Sequence, residues 1–164
     1  MTDGLSQNIL NVCDSLNKNN VQYLLVGGAA VAFHGYYRIT TVDDMPAEKE
    51  DVDFWFNPNC TNYYNLLNAL KNLGQDVTDF MSEKTPTPLK SFYKCTFDNF
   101  TLDFLPKIPG HSKFNNCYNS RQSSIINNIE IFIISYDDLV ITKLVTARKK
   151  DIEDIKNLEA NRKK

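Results

Sequence analysis

The chain has 164 residues, a formal net charge of −2, and 42% hydrophobic against 23% charged residues, which suits a single domain able to bury a real core. Near-neutral charge removes any global steering toward nucleic acid and leaves only a local basic surface, Lys107, His111, Lys113 and Arg121, to be considered. No apolar run approaches membrane-spanning length, and Met1-Thr2-Asp3-Gly4-Leu5 lacks the basic start of a secretory signal, so a cytoplasmic location without membrane partners is expected.

In chain order, apolar spacing predicts a first helix over 5–18, closed by the turn Asn19-Asn20. A strand over 21–26, rich in branched and aromatic residues, stops at Gly27-Gly28-Ala29-Ala30. Glycines there allow a tight strand-to-helix turn. The helix they open, running to about Tyr37, would point free N-terminal amides at a phosphate. At its far end His34 reads as a half-buried, hydrogen-bonded residue, and Arg38 offers a fork for phosphate or for Asp53.

The next strand, 51–56, carries Asp51-Val52-Asp53 inside an apolar run. Side chains at i and i+2 share a face, so Asp51 and Asp53 point together while Val52 enters the core. Two carboxylates on one rigid strand suit Mg2+, or Mn2+, which is held by few protein oxygens together with waters and substrate phosphates. Asn57-Pro58-Asn59 ends this strand, and Tyr63, Leu66, Leu67 and Leu70 then repeat at helical spacing up to Gly74.

After the Pro86 and Pro88 loop, strands are predicted over 91–97, 100–105 and 129–134. The second of them holds a third carboxylate, Asp103, between Leu102 and Phe104; an ionised group in such surroundings is costly unless paired or bound to a cation. Asp98, beside Asn99, reads as a turn residue. Two C-terminal helices fill about 136–162, capped at Ser135 or Asp137 and broken near Arg148. Lys143 lies on a partly apolar face, either as a snorkelling surface lysine or as a triphosphate ligand. Arg148, Asp151 and Asp154 are spaced to form a structural ion-pair network. Cys13, Cys60, Cys95 and Cys117 are dispersed without Cys-x-x-Cys, and His34 and His111 are far apart, which argues against a zinc cluster or a disulfide framework.

Gly27-Gly28, the apolar-flanked Asp51-Val52-Asp53 and the later Asp103 together resemble the signature of minimal nucleotidyltransferases of the DNA polymerase beta-like superfamily. The likeness extends through His34-Gly35, Arg38-Ile39-Thr40, Ile108-Pro109-Gly110 and Ser135-Tyr136-Asp137-Asp138-Leu139-Val140, with Lys143, Arg148, Asp151 and Asp154. It is closest to the branch of nucleotidyltransferase toxins of abortive-infection systems. This implies a single α/β (α+β) domain with a mixed sheet flanked by helices. It also implies transfer of a nucleoside monophosphate from a nucleoside triphosphate to a hydroxyl acceptor, which could be a small molecule, an RNA end or a protein. Asp51, Asp53 and Asp103 would be metal ligands and catalytic, with Asp103 also drawing the acceptor proton. Gly27, Gly28, Arg38 and Lys143 would hold the nucleotide. A non-catalytic nucleotide-binding or toxin–antitoxin interaction module, with a cognate antitoxin as partner, is the alternative. One departure stands out: residues 41–50 form an acidic insertion before the metal strand, with a rival pair, Asp43-Asp44, set against by the opposite facing of adjacent strand residues and by Pro46.

Overall fold

In the computed structural model, which describes residues 7–35, 41–42, 45–46 and 50–163, the apolar strands of the chain pair into one six-stranded mixed sheet. Helix α1 (Gln7–Lys18) leads into β1 (Tyr23–Val26), and α2 (Gly27–Phe33) follows without an intervening loop. A two-stranded ribbon, β2 (Thr41–Val42) and β3 (Met45–Pro46), lies in the insertion, so Pro46 closes a short ribbon instead of extending the strand that follows. Asp43, Asp44, Arg38 and Thr40 lie outside the described residues.

Next come β4 (Glu50–Phe56), α3 (Cys60–Asn72), the one-turn α4 (Thr78–Met81), β5 (Tyr93–Thr96) and β6 (Phe100–Leu105). The chain ends with α5 (Phe114–Asn119), β7 (Gln122–Ile126), β8 (Ile129–Ile133), α6 (Tyr136–Thr146) and α7 (Lys149–Arg162). Strand order across the sheet is β5-β6-β4-β1-β8-β7. Parallel pairing joins β4 to β6 and β1 to β8; the other neighbours are antiparallel. This is the mixed, helix-flanked sheet that the alternation of strand and helix patterns predicts.

The pleat assigns the two faces different work. Tyr23 and Leu25 of β1 stand opposite Phe56 and Phe54 of β4, and Phe54 stands opposite Phe104 of β6. These large side chains share one face; Phe54 stacks on Phe104 at 5.3 Å and meets Tyr23 edge-on at 5.5 Å. Helices α1 and α3 close over it, with the Tyr23 hydroxyl reaching Asn17 of α1 and Phe56 reaching Tyr63 of α3. The alternate residues, Asp51, Asp53 and Trp55 of β4 with Thr101, Asp103 and Leu105 of β6, occupy the opposite face by the same period of two.

Strand β7 and helix α5 are among the elements that escaped the sequence pattern, for physical reasons. Strand β7 is an edge strand, half polar in Gln122-Ser123-Ser124, so it lacks the apolar alternation of a buried strand. Its hairpin to β8 turns on Asn127 and Asn128, both left-handed (φ 52 and 64), the conformation that suits a two-residue hairpin loop. Helix α5 is only six residues long and has no capping side chain.

Helix α6 starts at Ser135, whose Oγ accepts from the Asp138 amide at 3.2 Å, and stops at left-handed Ala147 (φ 48). Helix α7 then begins with Asp151 folded back onto its own N-terminus. That carboxylate accepts from the Arg148 amide (3.0 Å), Arg148 Nε (2.7 Å) and Nη2 (3.2 Å), and the Thr146 hydroxyl (2.7 Å). Lys143 Nζ lies 3.3 Å from Asp151 and 3.1 Å from Asp154, both carboxylates being fully buried. Burial alone would raise the Asp151 pKa, but these donors together hold it well below the ordinary carboxylate range. The network predicted from spacing is therefore real, and Lys143, 4% exposed, belongs to it instead of snorkelling at the surface.

Removing one partner of a buried ion pair typically costs about 3–5 kcal/mol. Lys143→Met takes the ammonium from between two buried carboxylates and is expected to lower unfolding free energy by about that amount in urea denaturation. A loss below about 1 kcal/mol would show the cluster to be solvated.

Candidate active site

The local sequence forces a close approach at the end of β1. Val26 pairs with Asp53 across β1 and β4, and Gly27 follows at once in the left-handed region (φ +64). A methyl group on Gly27 would stand 2.6 Å from Asp53 Oδ2, so this position needs glycine for both conformation and space. Gly28 continues into α2, whose N-cap, Val26, has no side chain to satisfy the first-turn amides.

Register brings the predicted carboxylates together. Asp53 is the direct partner of Asp103, and Asp51 of Thr101, on the parallel strands β4 and β6. Thr101 donates a hydrogen bond to Asp51 Oδ1. On its other side Asp103 stands opposite Lys94 of β5, whose Nζ lies 3.8 Å from Asp103 Oδ1, too far for a hydrogen bond. That buried Oδ1 has no hydrogen-bond partner. Burial pushes the Asp53 pKa up to about 6, with Asp103 and Asp51 adding repulsion and Lys143 opposing it. Asp103 is raised as well, first by burial and then by Asp51, against the pull of Lys94.

Two acidic groups held side by side, one with an oxygen left without a donor, form an anionic set that fits a hard divalent cation.

Beside Asp53 opens a cavity of about 430 Å³ between the strand ends and α6. Its apolar wall includes Val26, Leu105, Ile108 and Leu139; Thr142 and Lys143 supply polar groups, and Arg148 and Asp151 complete the lining. The Lys143 charge reaches Asp53, although its ammonium is engaged by Asp151 and Asp154. Arg38 lies outside the described residues. His34 stands apart, its Nε2–H donating to the Ile134 carbonyl at 2.8 Å and its pKa lowered by burial, as a structural histidine. Of the basic residues considered at the surface, Arg121 lies over the Tyr118 ring at 3.9 Å.

Sequence reasoning missed Lys94 and Thr101. Thr101 was accessible: it lies two residues before Asp103, as Asp51 does before Asp53, so equal spacing on paired strands aligns both pairs. Lys94 becomes visible only once β5 is paired in register.

A mixed sheet with this carboxylate array and glycine turn defines a nucleotidyltransferase-like fold. An antigenic nucleotidyltransferase-like protein from Paracoccidioides brasiliensis superposes with a TM-score of 0.54 at 17% identity, covering 94% of this chain and 77% of that one. The lincosamide antibiotic adenylyltransferase LnuA, solved with lincomycin bound, gives 0.53 at 15%, covering 96% and 98%. Residues 5–162 match the family described as "Nucleotidyltransferase of unknown function (DUF6036)", and the chain belongs to that family. No curated protein matches it. Among the described residues no helix is long and apolar enough to cross a membrane.

A carboxylate whose folded pKa exceeds its unfolded value contributes stability that is full below the unfolded value and lost as pH rises through the folded one. With Asp53 moving from 3.8 to about 6, its ionisation costs the metal-free fold about 3 kcal/mol at neutral pH. Asp53→Asn, which mimics the protonated acid, should raise the melting temperature at about pH 7.5 and lose that advantage as pH falls below about 6. A constant difference across this range would remove the assigned repulsion. Gly27→Ala is expected to destabilise by about 1–3 kcal/mol. Asp53→Ala in the same chain should recover part of that loss, because it removes the clashing oxygen.

Proposed function

We propose that this site transfers a nucleoside monophosphate from a nucleoside triphosphate to a hydroxyl acceptor in a Mg2+-dependent reaction. The observation that carries the reading is the in-register pair Asp53 and Asp103, set against Gly27 at the start of α2. Asp51, Asp53 and Asp103 are the residues that would hold the metal. Bound there, it would neutralise charge developing on the attacking and leaving oxygens.

The chain's own groups have separable tasks. Amides of Gly27 and Gly28 receive phosphate oxygens, favoured by the open first turn of α2. Lys143 contributes a positive field at the cavity wall; Asp151 and Asp154 fix its position. Arg38 is a further phosphate contact in this reading. Asp103 accepts the proton of the acceptor hydroxyl, a role suited by its raised pKa. The acceptor oxygen bonds to the α-phosphorus, the bond from that phosphorus to the bridging oxygen breaks, and pyrophosphate leaves with the electron pair.

Incubation of the protein with each labelled triphosphate, Mg2+ and cell lysate tests the reading directly. Stable label on an acceptor is expected with the wild type and is lost in Asp53→Asn. Asp103→Asn should depress turnover by about 100- to 10,000-fold while leaving nucleotide affinity nearly unchanged. Release of inorganic phosphate without labelled acceptor would make the site a hydrolase, and equal loss of affinity and turnover would reduce Asp103 to a ligand.

A further inference from the structure

We propose that His111, Cys117 and Asp138 form a second metal site, separate from the carboxylate array and suited to a thiophilic divalent ion of the zinc class. The three come from different elements: the connection after β6, helix α5 and the first turn of α6. One ligand atom from each lies within 4.8 Å of the others. A tetrahedral zinc shell places such atoms about 3.3–3.6 Å apart, so side-chain rotation over little more than 1 Å closes it.

The surroundings already orient the ligands. Asp138 Oδ2 accepts from the Ser120 hydroxyl at 2.8 Å. His111 Nε2–H donates to the Asp138 main-chain carbonyl at 2.9 Å, which leaves the lone pair of the neutral ring on Nδ1. Outer contacts of this kind fix the tautomer and aim of metal-binding histidines. Cys117 is 3% exposed; burial, and then the adjacent Asp138, push its thiol up to about 12. Without a cation, a thiolate beside a carboxylate is strongly disfavoured. With one, the thiol proton passes to solvent, a sulfur–metal bond forms, and two anions and a neutral imidazole balance the dication. Sulfur and imidazole ligands separate this preference from the all-oxygen set at Asp51, Asp53 and Asp103. With three protein ligands, the fourth position is open to water.

The location gives the ion a structural consequence. His111 follows Ile108 and Pro109, and Asp138 precedes Leu139, Thr142 and Lys143; all five neighbours line the cavity beside Asp53. A metal at His111 and Asp138 therefore clamps two walls of that cavity together. The proposal does not depend on the transferase reading.

Co2+ titration of the full chain, stripped with chelator and free of nucleotide, decides it. One equivalent should bind with a thiolate-to-cobalt charge-transfer band and intense visible bands of tetrahedral cobalt. Zn2+ should displace it, and excess Mg2+ should not. The band should persist in Asp53→Asn, disappear in Cys117→Ser and require at least about tenfold more Co2+ in His111→Gln. No charge-transfer band in the wild type, or a band surviving Cys117→Ser through another thiol, overturns the site. Should Cys117→Ser fail to fold, an unchanged titration in His111→Gln overturns it equally.

Discussion

Asp53 and Asp103 are held face to face by six consecutive residue pairings between β4 and β6, and much of the molecule is arranged around that enforced repulsion. Isolated carboxylates would separate or protonate. Here the strands cannot slip, because shifting a strand by one residue would carry Val52, Phe54 and Phe56 from the core to the opposite face. The aromatic stack of Phe54, Phe104 and Tyr23 on one face thus secures the acidic pair on the other. Stability stored in the packing offsets the local electrostatic cost.

The parts of this arrangement that lie within one element were legible in the sequence. Asp51-Val52-Asp53 announces its geometry through the strand period alone, and Gly27 announces a turn. Contacts between elements were not. Lys94 acquires meaning only through the β5–β6 register, and the commitment of Lys143 to Asp151 and Asp154 only through the left-handed bend at Ala147. A lysine on a partly apolar helix face looks the same in sequence whether it snorkels or is locked between two acids. The asparagines illustrate the same limit. They include Asn62, which is buried and bonds Gln22 and Asn57, joining the start of β1 to the end of β4. Another pair makes the β7–β8 turn.

The C-terminal helices are more than a cover for the sheet. Thr142 and Lys143 of α6, with Arg148 and Asp151 at the start of α7, line the same cavity as Gly27 and Asp53. Because Asp151 accepts hydrogen bonds from both sides of the α6–α7 junction, the position of one helix is bound to that of the other. Electrostatic coupling runs the same way: Lys143 opposes the raised pKa of Asp53, and Asp53 adds to the upward shift of Arg148. The cationic side of the cavity and its acidic side therefore respond to each other's charge.

In the proposed reading, this distribution is how a chain with a net charge of −2 would offer a place for a polyanion. Net charge governs long-range encounter, whereas binding depends on the charges within a Debye length, about 8–10 Å at ordinary salt. Lys94, Lys143 and Arg148 are gathered about the acidic pair, and the two carboxylates of the α6–α7 junction keep Lys143 in place. Neutralising the acidic pair, by a proton or by a cation, removes its repulsion of an anion, while Lys143 and Arg148 remain held by the junction carboxylates. In the proposed reaction, cation binding at Asp53 and phosphate binding at Gly27 would be cooperative by geometry, since Gly27 is packed against the Asp53 carboxylate.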